Sequence, residues 1–188
     1  MFLSLTAMPA WAEKVPLNTI SNYLNGIKTA KSSFTQINAD GTISTGNILM
    51  SRPGKIRFDY NPPEKALVVA TAGTVYVLDR KLNAEPEVYP LRKTPLSIIL
   101  ERNVNLATAG MVQKHSYDGT ATIVTALDPK HPEYGTIDLK FTGNPVQLRQ
   151  WVIDDGSGNK TTVVLGALES ASVPRSAFDI ESEIEALK

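Results

Sequence analysis

Alternation of apolar and polar residues is the dominant rhythm of this chain, and it is sharpest over residues 47–64. Side chains on a strand point to opposite faces in turn, so Ile48, Met50 and Arg52 share one face. After the Arg52-Pro53-Gly54 corner, Ile56, Phe58 and Tyr60 share a face, with Arg57 and Asp59 opposite. The pattern predicts strand, tight turn, strand, with an apolar face that carries an arginine at its rim. A guanidinium among apolar groups is costly unless it finds acceptors. Arg52 must therefore find acceptors.

The period is different before this hairpin. Leu17, Ile20, Leu24 and Ile27, with Tyr23 and Ala30 alongside, are spaced for one face of a helix over 16–32. Pro16 suits its first turn and Gly26 weakens its middle. Ser33-Phe34-Thr35-Gln36 then begins an extended run that turns at Asp40-Gly41. Short strands follow at 67–70, 75–79, 121–127, 137–141, 148–154 and 161–168, divided by Ala72-Gly73, Asp118-Gly119 and the turn at 155–159. Ile137, Leu139 and Phe141 alternate with Asp138 and Lys140, the period of a half-buried strand. Many short strands joined by Gly, Asn and Asp turns predict a mainly β, all-antiparallel sheet, sandwich or barrel.

Residues 94–103 interrupt the strands. Thr94 is placed as a helix cap and Pro95 in the first helical position. Leu96, Ile98, Ile99 and Leu100 make the short helix apolar on more than one side. So short a helix is marginal in water and must pack on something. The pattern favours core filling over a lid.

A length of 188 residues fits one domain with a real core. The chain has 19 basic and 19 acidic residues, which argues against nucleic acid as the main partner. It has no cysteine, hence no disulfide, thiol nucleophile, thiolate-held metal or acceptor for a lipid anchor. The apolar run 2–12, with small residues at Ala10 and Ala12, resembles the second half of a secretory signal, although the positive n-region is missing. Residues 1–12 are thus expected to be a signal remnant and 13–188 the working domain. Export without cysteine points to a bacterial periplasm.

Catalytic motifs are scarce. The two histidines, His115 and His131, fall in no metal-binding or triad-like pattern. The chain contains no nucleophile elbow, Walker loop, zinc-protease helix motif or dinucleotide fingerprint. Residues 154–159 are rich in oxygen ligands but lack a calcium loop's register, and read as a hairpin turn. Residues 128–133 suit an exposed loop, and His115, beside Lys114, a solvated side chain. No catalytic residue, metal or cofactor is expected.

Taken in order, the opening helix, Ser33-Phe34-Thr35-Gln36, Gly46-x-Ile48, and then Arg52-Pro53-Gly54-Lys55-Ile56-Arg57-Phe58-x-Tyr60-x-x-Pro63 form an extended signature. Ala72-Gly73 before Val75-Tyr76-Val77-Leu78-Asp79, Thr94-Pro95-Leu96, and Asp154 with Gly156 complete it. This ordered set resembles the LolA family of periplasmic outer-membrane lipoprotein carriers, and it covers nearly all the chain after residue 12. The resemblance implies a single-domain, unclosed, strongly curved antiparallel β-barrel with an N-terminal helix and short lid helices over the opening. It implies acylated lipoproteins as cargo, an inner-membrane Lol ABC transporter as donor and an outer-membrane receptor lipoprotein as acceptor. A similar fold serves that receptor, itself a lipoprotein, and the missing cysteine argues against that role here.

The resemblance also assigns roles. Arg52 matches the family's arginine that bonds to lid and loop backbone in the closed state, so it is expected to latch onto carbonyls of the helix near Leu96 to Leu100. The expected cavity lining is Phe34, Ile48, Met50, Ile56, Phe58, Tyr60, Leu67, Val69, Tyr76, Leu78 and Trp151, and the lid helix presents Leu96, Ile98, Ile99 and Leu100. For the strands holding Leu67 and Tyr76 both faces are apolar, and parity does not separate inside from outside. Two other readings stand beside the carrier: a periplasmic binder of another hydrophobic ligand such as free lipid, and a lipid-modifying enzyme, which the thin catalytic inventory disfavours. Monomer is the default expectation.

Overall fold

The computed structural model describes residues 13–186 apart from Asn83 and Ala109, so the apolar run 2–12 lies outside the described residues. The first helix, α1 (Leu17–Gly26), is shorter than the apolar period predicts. Pro16 is extended and caps it, and its carbonyl accepts from the Ile20 amide at 3.0 Å. The helix closes at Gly26, and residues from Thr29 onward are already a strand. Ile27 and Ala30 continued the helical spacing by coincidence of two elements that bury the same side.

The strands are β1 (Thr29–Ile37), β2 (Ile43–Ser51), β3 (Lys55–Tyr60), β4 (Ala66–Thr71), β5 (Thr74–Asp79), β6 (Glu87–Pro90), β7 (Val112–Tyr117), β8 (Thr122–Ala126), β9 (Thr136–Thr142), β10 (Gln147–Asp154), β11 (Lys160–Leu165) and β12 (Glu169–Ser170). They pair antiparallel in the order β6-β5-β4-β3-β2-β1-β11-β10-β9-β8-β7, with β12 beside β1. The two ends, β6 and β7, are not joined, so the sheet is unclosed, as expected. β1 is its spine. It pairs along its whole length with β2 on one side, and with β11 and then β12 on the other.

The chain leaves β11 at Gly166, whose amide donates to the Ser33 carbonyl at 3.0 Å, and this ends the last long strand earlier than the apolar run to Leu168 implies. The oxygen-rich segment 154–159 is the hairpin turn between β10 and β11, organised by Asp155, which accepts from Ser157 and Asn159. Those bonds hold its carboxyl low, at about 2. His115 departs from expectation. It is half-buried, with its Nε2 2.9 Å from the Val15 carbonyl, because the chain entering α1 crosses β7.

One glycine is required by contact. Gly46 sits between Phe34 on β1 and Tyr60 on β3. A Cβ there would lie 2.1 Å from the Asp59 carbonyl and 2.6 Å from the Phe34 ring. The missing side chain lets Phe34 lie across the backbone and meet its aromatic neighbours.

Two cores result, one on each side of the sheet. The concave side holds the larger cluster, from Ile48 and Phe58 on one half to Val124, Ile137 and Leu139 on the other. The convex side of β4 and β5 holds a smaller one, in which Leu67, Val69 and Leu78 pack under Phe178 and Ile180. Those last residues come from the C-terminal segment, a 3-10 turn at Arg175–Phe178 followed by α3 (Ile180–Glu185), which Asp179 caps by accepting from the amides of Glu181 and Ser182.

Candidate functional site: the covered concave face and its arginine

The concave face is built from strand parity. Phe34, Ile48, Met50, Ile56 and Phe58 point inward and are almost wholly buried, with Trp151 from β10 beside them. Edge-to-face contacts connect Phe34 to Tyr60 at 5.1 Å, Phe34 to Phe58 at 5.5 Å and Phe58 to Trp151 at 6.2 Å. Such pairs add about 0.5–1.5 kcal/mol each beyond their burial. Tyr60 donates its hydroxyl to the Gln36 side chain at 2.7 Å, and burial pushes its pKa up to about 12.

Four expected lining residues lie elsewhere. Leu67, Val69 and Leu78 belong to the convex core, and Tyr76 packs against it. Their neighbours Ala70, Val75, Val68 and Val77 take the concave positions. The reason is physical: β4 and β5 are covered on both faces, so both faces are apolar and alternation carries no signal. Residues of the far half of the sheet, such as Ile137, Leu139 and Phe141, were not expected as lining, although their alternation with Asp138 and Lys140 marks one inward face.

The concave face is covered by α1 and by the chain from Leu91 to Leu106. The expected helix over 94–103 is in fact only four residues long, α2 (Ser97–Leu100), and a separate 3-10 turn at Leu91–Lys93 precedes it. Thr94 caps neither end with its side chain, since its hydroxyl donates back to the Leu91 carbonyl at 2.8 Å. The chain turns again at Pro95, and the first helical residue is Ser97, whose amide finds the Thr94 carbonyl at 3.0 Å. Leu96, Ile98, Ile99 and Leu100 are all buried against the concave core. Each such side chain contributes roughly 1.5–3 kcal/mol, which is what holds a four-residue helix in place.

Polar bonds join the cover to itself and to the sheet. Asn25 of α1 clips the chain after α2, donating to the Val104 carbonyl at 2.8 Å and accepting from its amide at 2.9 Å. Ser21 accepts from the Leu106 amide at 3.0 Å. On the sheet side the Gly54 amide donates to the Leu100 carbonyl at 2.9 Å, and the Arg52 amide to the Lys28 carbonyl at 2.8 Å.

Arg52 stands where these three pieces meet. Its guanidinium donates to the Leu24 carbonyl of α1 and to the Glu101 carbonyl just past α2. The Glu101 acceptor lies at the end of the expected helix, one residue past Leu100, whereas the Leu24 acceptor belongs to the first helix and was not expected. Its Nε is buried without an acceptor, and desolvation lowers its pKa from the ordinary value. A single side chain thus spans the seam between hairpin, α1 and cover.

A pair of arginines on the other face provides a contrast. On the convex side Arg57 and Arg80 alternate with Asp59 and Glu183 in a closed ring of ion pairs, including Arg57–Glu183 at 2.8 Å, Arg80–Glu183 at 2.7 Å and Arg80–Asp59 at 3.2 Å. Arg57 also donates to the Ala177 carbonyl at 3.0 Å. Burial acts to raise the Asp59 and Glu183 pKa values, but the arginine bonds and charges outweigh it and hold both carboxyls low. Glu183 comes from α3, so this ring fastens the C-terminal segment to β3 and to the turn that follows β5.

With this geometry in hand, comparison with known proteins decides the family. The LolA family, described as outer membrane lipoprotein carrier protein LolA, matches residues 25–181. This chain belongs to the LolA family. An outer-membrane lipoprotein carrier protein from Cupriavidus pinatubonensis is 25% identical over 171 residues, covering 85% of this chain and 80% of the relative. One of the same description from Nitrosomonas europaea is 24% identical, covering 90% of this chain and 85% of its own length. Among solved structures, an uncharacterised conserved protein from Thermus thermophilus superposes with a TM-score of 0.51 at 9% identity, covering 87% of this chain and 90% of that one, a likeness of fold alone. The unclosed antiparallel sheet and the covered concave face are thus those of a LolA-family protein. No helix among the described residues is long and apolar enough to cross a membrane.

Proposed function

We propose that this LolA-family protein is a periplasmic, non-enzymatic carrier that shelters the acyl chains of lipoproteins released from the inner membrane and delivers them to an outer-membrane receptor. An ABC transporter of the inner membrane is the donor in this reading, and a receptor lipoprotein the acceptor. The observation that carries it is the covered concave face. A continuous apolar surface is closed by a cover made of short helices, and the seam is held by backbone carbonyls of Leu24 and Glu101 on one arginine.

The energetics suit loading and release. Acyl burial is worth ~0.8 kcal/mol per methylene, so roughly ten buried methylenes are worth ~8 kcal/mol. That is comparable with the burial of the three α2 side chains Ile98, Ile99 and Leu100, at roughly 1.5–3 kcal/mol each. Acyl chains and cover therefore compete for the same surface on nearly equal terms, which lets cargo enter without being held irreversibly. Arg52 is the latch in this competition, because its bonds stabilise only the closed arrangement.

The test is to mix the purified protein with spheroplasts of a Gram-negative cell. Lipoproteins should appear in the soluble fraction, bound to the protein. Free lipid co-purifying with no lipoprotein release would overturn the reading in favour of a carrier of another hydrophobic ligand.

A further inference from the structure

Beside the latch lies a cleft of about 420 Å³ lined by Asn25, Ile27, Lys28, Arg52, Pro53, Arg102 and Asn103. Its walls come from the end of α1, the β2–β3 corner and the chain after α2, the same three pieces that Arg52 joins. Three of its residues are cations. Among the described residues, no carboxylate forms an ion pair with Lys28, Arg52 or Arg102. In a chain of zero formal net charge, whose other half-buried arginines are fully paired, this is a local surplus of positive charge.

The donors are also incompletely used. Lys28 has only the Asn25 carbonyl at 2.9 Å, and Nε of Arg52 has no acceptor. An oxyanion offers ionised acceptors, which bind a guanidinium roughly twice as strongly as neutral carbonyls do and match its planar fork. It would draw Arg52 away from the Leu24 and Glu101 carbonyls while Lys28 and Arg102 supply the remaining charge.

We propose that this cleft is a binding site for a phosphate-type oxyanion, carried by a lipid headgroup or free in solution, and that its occupation loosens the Arg52 latch. Binding itself follows from the cleft alone. Its use in loading cargo rests on the carrier reading.

The experiment uses the full protein at constant ionic strength. Inorganic phosphate is titrated calorimetrically against a chloride reference, and binding to phosphatidylglycerol vesicles is compared with phosphatidylcholine vesicles. Amide exchange at Gly54, which bonds to Leu100 across the seam, reports the latch. Lys28 and Arg102 are exposed, so Lys28→Gln with Arg102→Gln leaves the fold intact. That pair should weaken binding by roughly tenfold or more, whereas Lys81→Gln with Lys130→Gln, of equal charge change, should not.

Phosphate binding without vesicle preference assigns the site to the free oxyanion, and phosphatidylglycerol preference without phosphate binding assigns it to the headgroup. Binding of neither, or equal loss in both double variants, overturns the site. Unchanged exchange at Gly54 on binding overturns its link to the latch. Lipoprotein release from spheroplasts is read separately, so failure of the carrier reading leaves the phosphate result standing.

Discussion

Replacing Arg52 by leucine separates a latch from a structural arginine. Two charge-assisted bonds, to Leu24 and Glu101, disappear. At about 1.5–3 kcal/mol each they amount to roughly 3–6 kcal/mol gross. Against this, the variant is relieved of a buried Nε that has no acceptor, a penalty of about 1–3 kcal/mol. Neither carbonyl is left stranded, because the Leu24 oxygen also accepts from the Ile27 amide at 3.2 Å and Glu101 is exposed to water. The net loss centres on about 2.5 kcal/mol, and it falls on the seam alone. Local opening should therefore become roughly ten- to a hundredfold more frequent. Native-state hydrogen exchange reads it at the amides of Gly54, Val104 and Leu106, which bond across the seam, with strand amides of β4 and β5 as reference. In spheroplasts the variant should load lipoprotein yet pass it on poorly. Unchanged exchange at the seam would refute the latch, and so would equal acceleration in β4 and β5, the mark of an arginine that supports the whole fold.

Two further expectations follow from the convex face. Leu78→Ala should cost about 2–5 kcal/mol and lower Tm while leaving lipoprotein release unaltered below the melting range, whereas Ile56→Ala, of similar cost, should impair uptake; equal impairment by both would remove the distinction between the faces. The arginine ring makes stability depend on pH. Asp59 and Glu183 titrate below their ordinary values of 3.8 and 4.5, so their contribution is present above those values and is lost as pH falls through the lower folded ones. Urea unfolding of Asp59→Asn with Glu183→Gln should accordingly show lower stability at neutral pH and a flatter slope below 4.5 than the parent.

The hairpin of β2 and β3 was legible in the sequence because one of its faces is apolar and the other is not, with Pro53 and Gly54 marking the corner. Ile48, Met50, Ile56, Phe58 and Tyr60 accordingly lie on the face that parity gave them. The β4–β5 hairpin was legible as two strands about Ala72-Gly73 but its inward face was not, since Leu67 and Val68 are both covered, one by the C-terminal segment and the other by the concave core. That cover was itself hard to read. The segment 175–185 offers one capping aspartate and a few apolar residues, and their partners lie about a hundred residues away in sequence, as in the Arg80–Glu183 pair. Arg52's need for acceptors was evident from its surroundings, but its choice of Leu24 and Glu101 depends on how α1 and the cover dock, which no local pattern encodes.

The unjoined ends of the sheet have a mechanical consequence. In a closed barrel, widening the interior means breaking a ladder of backbone hydrogen bonds or changing the tilt of every strand. Here β6 and β7 share no ladder, so the curved sheet can flatten or tighten by small changes of twist between neighbouring strands, each of which keeps its bonds. Interior volume becomes a soft coordinate, resisted by side-chain packing instead of by the backbone. A container of this kind can adapt its capacity to cargo of different bulk without unfolding any strand.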